Sequence, residues 1–427
     1  MIAALLVGCT TAPTTKDDTP PGSTAIDDDT VGDADADADA DTDSDTDTDA
    51  DADTGPVEPV DLDCLEDDPT LTALERSLIE LPADSWTTVP GSSFGAYCAD
   101  HALDEPGYGT SRCVNLIDAW GGGVFDDGER RMVLFGGGHN DYSGNQVYGF
   151  DLASGAWTVL REATPADQIT PSQDPYADGS PASRHSYDGF AYLPDLRRWF
   201  VFGGSRYQDG SSTPTAWLFD SAAGTWERRA DFDGNQVAGL FYTGTAYDEA
   251  TGTVITRTES GLYSYDVAAD AWTTRADFGY PPFWPTWSTY SYRRGVVVPS
   301  RRWFVGLGGA LEDGSPDVMM FDLDTWADAT VPTTGDADAV RGNGPGSDYD
   351  PADDAIVSWS GGAPGILDLD TLVWRAGSAD GAPSDAVGNG TYGRWRYVAY
   401  LNVFVLVNHP EDDVHFYKNT AGCGVAR

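Results

Sequence analysis

Five times along this chain an aromatic or leucine residue is followed by Asp and then, four to six positions after the Asp, by Trp: Phe150-Asp151 with Trp157, Phe219-Asp220 with Trp226, Tyr265-Asp266 with Trp272, Phe321-Asp322 with Trp326, and Leu367-Asp368 with Trp374. A unit that returns about every 50 residues is one supersecondary module copied in series, and that period is the period of propeller blades. A second marker runs in phase with it. Gly122, Gly189, Gly244, Gly295, Gly346 and Gly393 each open an extended apolar stretch that turns and comes back, as in GFAYLPDLRRWFVFGG and GVVVPSRRWFVGLGG. Alternation with β-branched and aromatic residues makes these stretches strands, and the Pro, Asp and Arg between them make hairpin turns. Each unit therefore reads as strand a, turn, strand b ending in Gly-Gly, loop, strand c ending at the aromatic-Asp pair, turn, and strand d carrying the Trp.

The sixth unit has RWRYVAYL, VFVLVNH and DVHFYK but no strand with a Trp after them. The missing strand stands at the other end of the repeat region, SWTTVP from Ser85 to Pro90. The expected fold is all-β: a six-bladed propeller closed by an N-terminal strand, which removes the free sheet edges that invite aggregation. Ahead of it, Pro69 after Asp68, with Leu71, Leu74, Leu78 and Leu81 at helical spacing, predicts one short helix packed on the ring.

These residues resemble the kelch family. Gly136-Gly137, Gly203-Gly204, Gly308-Gly309 and Gly361-Gly362 match its diglycine after strand b, and the spaced Trp matches its strand d. The resemblance runs from about Trp86 to Tyr417. It implies a kelch-type β-propeller and leaves function open, because such propellers serve as binding proteins, scaffolds and enzymes.

Charge and cysteine set the surroundings. The net charge is −46, and residues 1–68 hold 22 Asp and Glu against the single Lys16, which leaves about −25 for the rest. So acidic a field excludes nucleic acid and anionic membrane surfaces as partners. The opening MIAALLVGC reads as residues 1–9 of an export signal, in which Leu6-Val7-Gly8-Cys9 resembles the lipobox of bacterial lipoproteins. Cys9 would then carry the lipid, the only contact with a membrane. Residues 10–60 follow as a disordered acidic linker with Asp at every second position from Asp33 to Asp53, and residues 61–427 form the propeller domain. The expected location is the bacterial cell envelope, as an outer-membrane lipoprotein or an extracellular protein. Four further cysteines, an even number in an exported chain, favour two disulfides with three connectivities; neighbourhood suggests Cys98 with Cys113 and Cys64 with Cys423. No CxxC spacing supports a zinc site.

Strand direction alternates within a blade, so the d-to-a and b-to-c loops share one face, called here the top face. His139, Asn140, Asp141, Tyr142 and Asn145 fall in the b-to-c loop of blade 1. Arg184 and His185 begin blade 2, Arg257 and Glu259 stand where blade 3 should have Gly-Gly, and Asn408-His409 do so in blade 6. Trp284, Trp287 and Tyr290 precede blade 4; Asn389, Tyr392 and Arg394 precede blade 6. The expected binding set is His139, Asn140, Asp141, Tyr142, Asn145, Arg184, His185, Arg257, Trp287, Tyr290, Arg394 and His409, with a glycan or protein as ligand and neither metal nor cofactor. Beside that stands a plainer reading, in which His139 only orients its own hairpin. The repeated Asp residues belong to turns and the strand-d Trp residues to packing between blades.

Aromatic faces with Asn, Asp and Arg suit sugar recognition by stacking and hydrogen bonding. The alternative is a polysaccharide lyase, which needs a cation for the uronate carboxylate, a base for the C5 proton and an acid for the leaving oxygen. The catalytic candidates for those roles are His139, Tyr142, His185 and Arg257, with Arg184 and Tyr242 as further choices. A copper oxidase of the galactose-oxidase kind is disfavoured, because the cysteines are better used in disulfides; a hydrolytic metal site from His139, His185 and His409 lacks any HxH or HxxxH pair.

Overall fold

The computed structural model describes residues 63–64, 68–101, 113–233, 240–278, 292–309, 318–342 and 344–424. Cys9, the acidic stretch 10–60, Trp284, Trp287 and Tyr290 lie outside the described residues.

Six antiparallel sheets form the blades of a propeller. Their innermost strands are Gly123–Asp126, Phe190–Leu193, Gly244–Asp248, Arg293–Val298, Gly346–Asp350 and Trp395–Val398, and each touches the next in a closed circle. A sheet buried on both faces must be apolar on both, and the strands obey. In blade 2, Phe200 and Phe202 pack toward blade 3, whereas the alternate residues Trp199 and Val201 pack toward blade 1. The same alternation yields six hydrophobic clusters among the described residues, one in each seam between neighbouring blades.

The ring closes as the sequence predicts. Ser85–Thr88 pairs antiparallel with His415–Lys418, with Trp86 opposite Tyr417. The Trp86 ring lies 5.0 Å from Tyr417 and 5.8 Å from Trp395, and its Nε1 donates to Ser378 O at 2.9 Å. Both expected disulfides are present: Cys64–Cys423 joins positions 359 residues apart, and Cys98–Cys113 closes a short loop. The recurring Asp residues are turn formers. Oδ1 of Asp151, Asp220, Asp266, Asp322 and Asp368 accepts from the backbone N–H three residues on, at 2.6 to 2.9 Å.

Several expectations need correction. The helix runs Ala73–Ile79, capped by Thr72 in a reciprocal capping box with Glu75, and so starts after Asp68-Pro69. Two more short helices, Phe94–Asp100 and Asn115–Asp118, pack with it against the seam of blades 1 and 6. Blade 4 has three strands, and past Trp326 only a single bridge, Phe321 to Asp328, remains of strand d. The Trp follows its Asp by four residues there instead of six, so it falls inside the turn, at φ 62°. Blade 5 gains a fifth, outermost strand, Thr334–Gly335, parallel to Val373–Trp374.

Candidate functional site

The top face draws three of the expected residues into contact. In blade 1 the apolar strand Arg131–Leu134 ends at Gly136-Gly137, whose φ values of 153° and 101° no side-chain-bearing residue adopts readily, and the chain swings over to His139 and Asp141. In blade 2, Arg184–His185 pairs with Ser205–Arg206 as a two-stranded ribbon that extends toward the axis. His185 Nε2 lies 2.7 Å from Asp141 Oδ2, and the His139 ring meets the His185 ring edge-on at 5.3 Å. Gly210 makes room for this: a Cβ there would sit 2.2 Å from His139 Nε2.

Beside these histidines stands an aromatic rim around the propeller axis. Trp120, Tyr187, Tyr242, Tyr292 and Tyr392 occupy the last residues before strand a in five blades, and Gly344 holds that place in the sixth. Trp120, Tyr187, Tyr292, Tyr392 and Gly344 all have φ between 46° and 59°. Their backbones link around the axis: Tyr187 N donates to Trp120 O at 2.9 Å, Gly344 N to Tyr292 O at 2.7 Å, and Tyr392 N to Gly344 O at 2.9 Å. The rings continue from the histidines without a break. His185 lies 4.9 Å from Trp120 and 6.1 Å from Tyr187, Tyr187 lies 5.0 Å from Tyr242, and Tyr242 lies 4.3 Å from Tyr292, whose hydroxyl donates to the Tyr242 hydroxyl at 3.2 Å.

Burial sets the protonation states. It is the chief cause that lowers the His185 pKa; the His139 charge adds to the lowering and the Asp141 bond opposes it. His185 is thus neutral near pH 7. Burial raises the hydroxyl pKa values of Tyr187, Tyr242 and Tyr292, so these groups stay protonated and act as donors. The site therefore offers a neutral imidazole and several protonated hydroxyl groups within one surface.

Other expected residues turn inward. Tyr142 is fully buried and donates to Gln146 Oε1 at 3.1 Å. Asn145 is pinned to Thr164, Ser180 and Pro181 by bonds of 2.8 to 3.0 Å. Arg184 is buried against Asp174 at 3.0 Å, with further bonds to the carbonyls of Ala182 and Gly203. Arg394 is buried and donates to the carbonyl oxygens of Gly121, Gly390, Val407 and Asn408; burial lowers its pKa to about 10. Their direction follows from strand alternation, which sends Arg184 and His185 to opposite sides. Arg257 lies buried on strand b of blade 3, its guanidinium 4.3 Å over the Phe278 ring, opposite Gly244 in the ladder and so close in register to Tyr242. His409 pairs with exposed Asp385 at 3.1 Å, and Asn140 is exposed.

Trp120, Tyr187 and Tyr292 were not among the expected site residues. Their signal was in the sequence: an aromatic one to three residues before the glycine that opens strand a, in Trp120-Gly-Gly122, Tyr187-Asp-Gly189, Tyr242-Thr-Gly244, Tyr292-Arg-Arg-Gly295 and Tyr392-Gly393. Among the described residues no group of three His, Cys, Asp or Glu is placed to hold a metal ion, and no helix is long and apolar enough to cross a membrane. Comparison with protein-family models and with curated proteins finds no match to this chain.

Proposed function

We propose that the axial part of the top face binds a polysaccharide. The observation that carries this reading is the continuous run of rings from His139 through His185, Tyr187 and Tyr242 to Tyr292, interleaved with hydroxyl and imidazole groups. Sugar rings stack on such faces while their hydroxyls exchange hydrogen bonds with the polar edges. The two disulfides fit an oxidising compartment outside the cytoplasm. There the Leu6-to-Cys9 sequence would supply a lipid anchor and the Asp-rich arm a spacer.

A second reading is favoured by the His185–Asp141 pair, which a binding surface does not need. In a lyase, neutral His185 takes the C5 proton of a uronate, held in orientation by Asp141. The C4–O bond breaks, a C4–C5 double bond forms, and a rim tyrosine, Tyr187 or Tyr242, gives its proton to the leaving oxygen. Arg257 is the cation nearest in register to Tyr242 and would face the carboxylate.

The test is a panel of acidic and neutral polysaccharides, scored for binding and for unsaturated product with wild type, His139→Ala and His185→Ala. Loss of binding in the variants supports the binding reading, and loss of product in His185→Ala with binding kept supports the lyase. No change in either variant, with the fold intact, defeats both.

A further inference from the structure

On the face opposite the histidines, a cavity of about 460 Å³ opens among the a-to-b turns and runs up the axis between the innermost strands. Asp127, Glu249, Arg302 and Pro351 stand at its mouth, on the turns; Arg294 and Arg396, near the starts of their strands, lie at the deep end. Arg294 is 1% exposed. Its Nη1 donates to Asp188 Oδ2 at 2.8 Å, to Thr245 O at 3.2 Å and to Gly295 O, while its Nε is buried without a partner and its Nη2 engages none of the described residues. Arg396 donates from Nε to Gly393 O at 3.1 Å and from Nη2 to Gly123 O at 3.2 Å. Its Nη1 stands 4.0 Å from Asp348 Oδ2, beyond hydrogen-bonding distance.

Buried guanidinium donors are costly to leave unpaired. Arg294 from blade 4 and Arg396 from blade 6 line the same cavity, the first with a buried Nε that has no partner and the second with only a long ion pair at Nη1, and guanidinium N–H edges of this kind suit an oxyanion. The rest of the lining is mixed: aliphatic residues such as Val124, Ala246 and Val296, the carboxylates of Asp127, Asp248, Glu249 and Asp348, and four tyrosines, Tyr192, Tyr247, Tyr349 and Tyr397. We infer that this axial cavity binds a small carboxylate with a ring-sized polar body, the chemistry of a hexuronic acid, with its carboxylate on Arg294 and Arg396 and its ring among the tyrosines. The volume lies in the range of small-molecule pockets. The acidity of the mouth is the main objection, and two facts reduce it. Asp248 is already held by Arg302 at 2.6 and 3.0 Å. Glu249 is exposed, acts through solvent and is screened over roughly 8 Å at physiological salt, whereas contact with a buried guanidinium is not; half-buried Asp127 and Asp348 remain, and Asp348 accepts from Tyr397 N at 3.0 Å.

This site does not rest on the top-face reading, and the experiment separates the two. D-glucuronate, D-glucose and acetate are titrated into the full chain by calorimetry, with wild type, Arg396→Gln, Ala250→Trp and His139→Ala. Ala250 lies on the exposed turn at the mouth, so its replacement narrows the entrance and leaves the sheets alone. The expected result is saturable binding of glucuronate and none of glucose, weakened at least tenfold by Arg396→Gln and at least threefold by Ala250→Trp, and unchanged in His139→Ala. If Arg396→Gln fails to melt cooperatively, Ala250→Trp decides. The inference is overturned if glucuronate does not saturate, if glucose binds equally, if both cavity variants bind as wild type does, or if His139→Ala abolishes binding.

Discussion

Two quadrants of the top face carry the same kinds of residue and use them differently. Where blades 1 and 2 meet, a b-to-c loop histidine, a carboxylate and a histidine from the next blade converge beside the aromatic rim, with His185 Nε2 2.7 Å from Asp141. In blade 6, the histidine of the corresponding loop, His409, pairs with a carboxylate of its own blade's neighbouring loop, and the arginine before strand a spends its donors on four carbonyl oxygens. The cause is backbone routing. Blade 2 adds the ribbon of Arg184–His185 with Ser205–Arg206, which carries His185 toward the axis. In blade 6, Asn408 ties the loop back through Val387 N, Asp385 O and Asp412 Oδ2 before it can reach inward. A residue that breaks the repeat is therefore a candidate for the site only where the chain points it at the axis.

The largest effect that would break this comparison is structural. Arg394→Met strips the carbonyls of Gly121, Gly390, Val407 and Asn408 of their donor, so a loss of about 3 kcal/mol or more is expected, read as a fall of several degrees in the thermal midpoint. A variant as stable as wild type, with altered ligand binding, would move Arg394 into the site. His185→Ala comes next: at least a tenfold loss of polysaccharide binding or turnover, with a much smaller change in melting temperature. A large fall in stability with binding retained would reverse that assignment.

Asp141→Asn gives a smaller and more diagnostic effect. Its carboxylate raises the His185 pKa against the lowering by burial. Removing it lowers that pKa further, so the acid limb of any turnover profile should move to lower pH, with a modest fall in rate. A shift to higher pH would contradict the protonation states assigned here. The same linkage has a sign for stability. The unfolded chain takes up a proton on this histidine near pH 6.5 while the folded state resists it, so the folded state loses stability as pH falls below that value and regains it as pH rises. The smallest effect is His409→Ala, where an exposed pair is worth under about 1 kcal/mol, and binding should stay within about twofold of wild type.

Much of the fold was legible because its markers repeat: the Asp turns, the diglycines and the displaced strand at Trp86 all took their expected places. Blade 4 failed where spacing shortened, since the three residues between Asp322 and Trp326 leave room for a turn but not for a strand. The geometry of the candidate site was half legible. His139 and His185 stood out by breaking the pattern, but Arg184, Asn145 and Arg394 broke it too. Which of them face inward depends on strand phase near the axis, which neighbouring blades decide. Trp120, Tyr187 and Tyr292 of the rim were overlooked for the opposite reason, because the rim aromatics repeat and a repeated aromatic reads as packing.

The measurement that tests the central claim most directly is polysaccharide binding by wild type, His139→Ala, His185→Ala and His409→Ala across one panel, with each variant shown to melt cooperatively. The account predicts a ligand bound by wild type and His409→Ala, and lost or weakened at least tenfold in His139→Ala and His185→Ala. Binding that survives in both blade 1–2 variants, or that disappears only in His409→Ala, would contradict it.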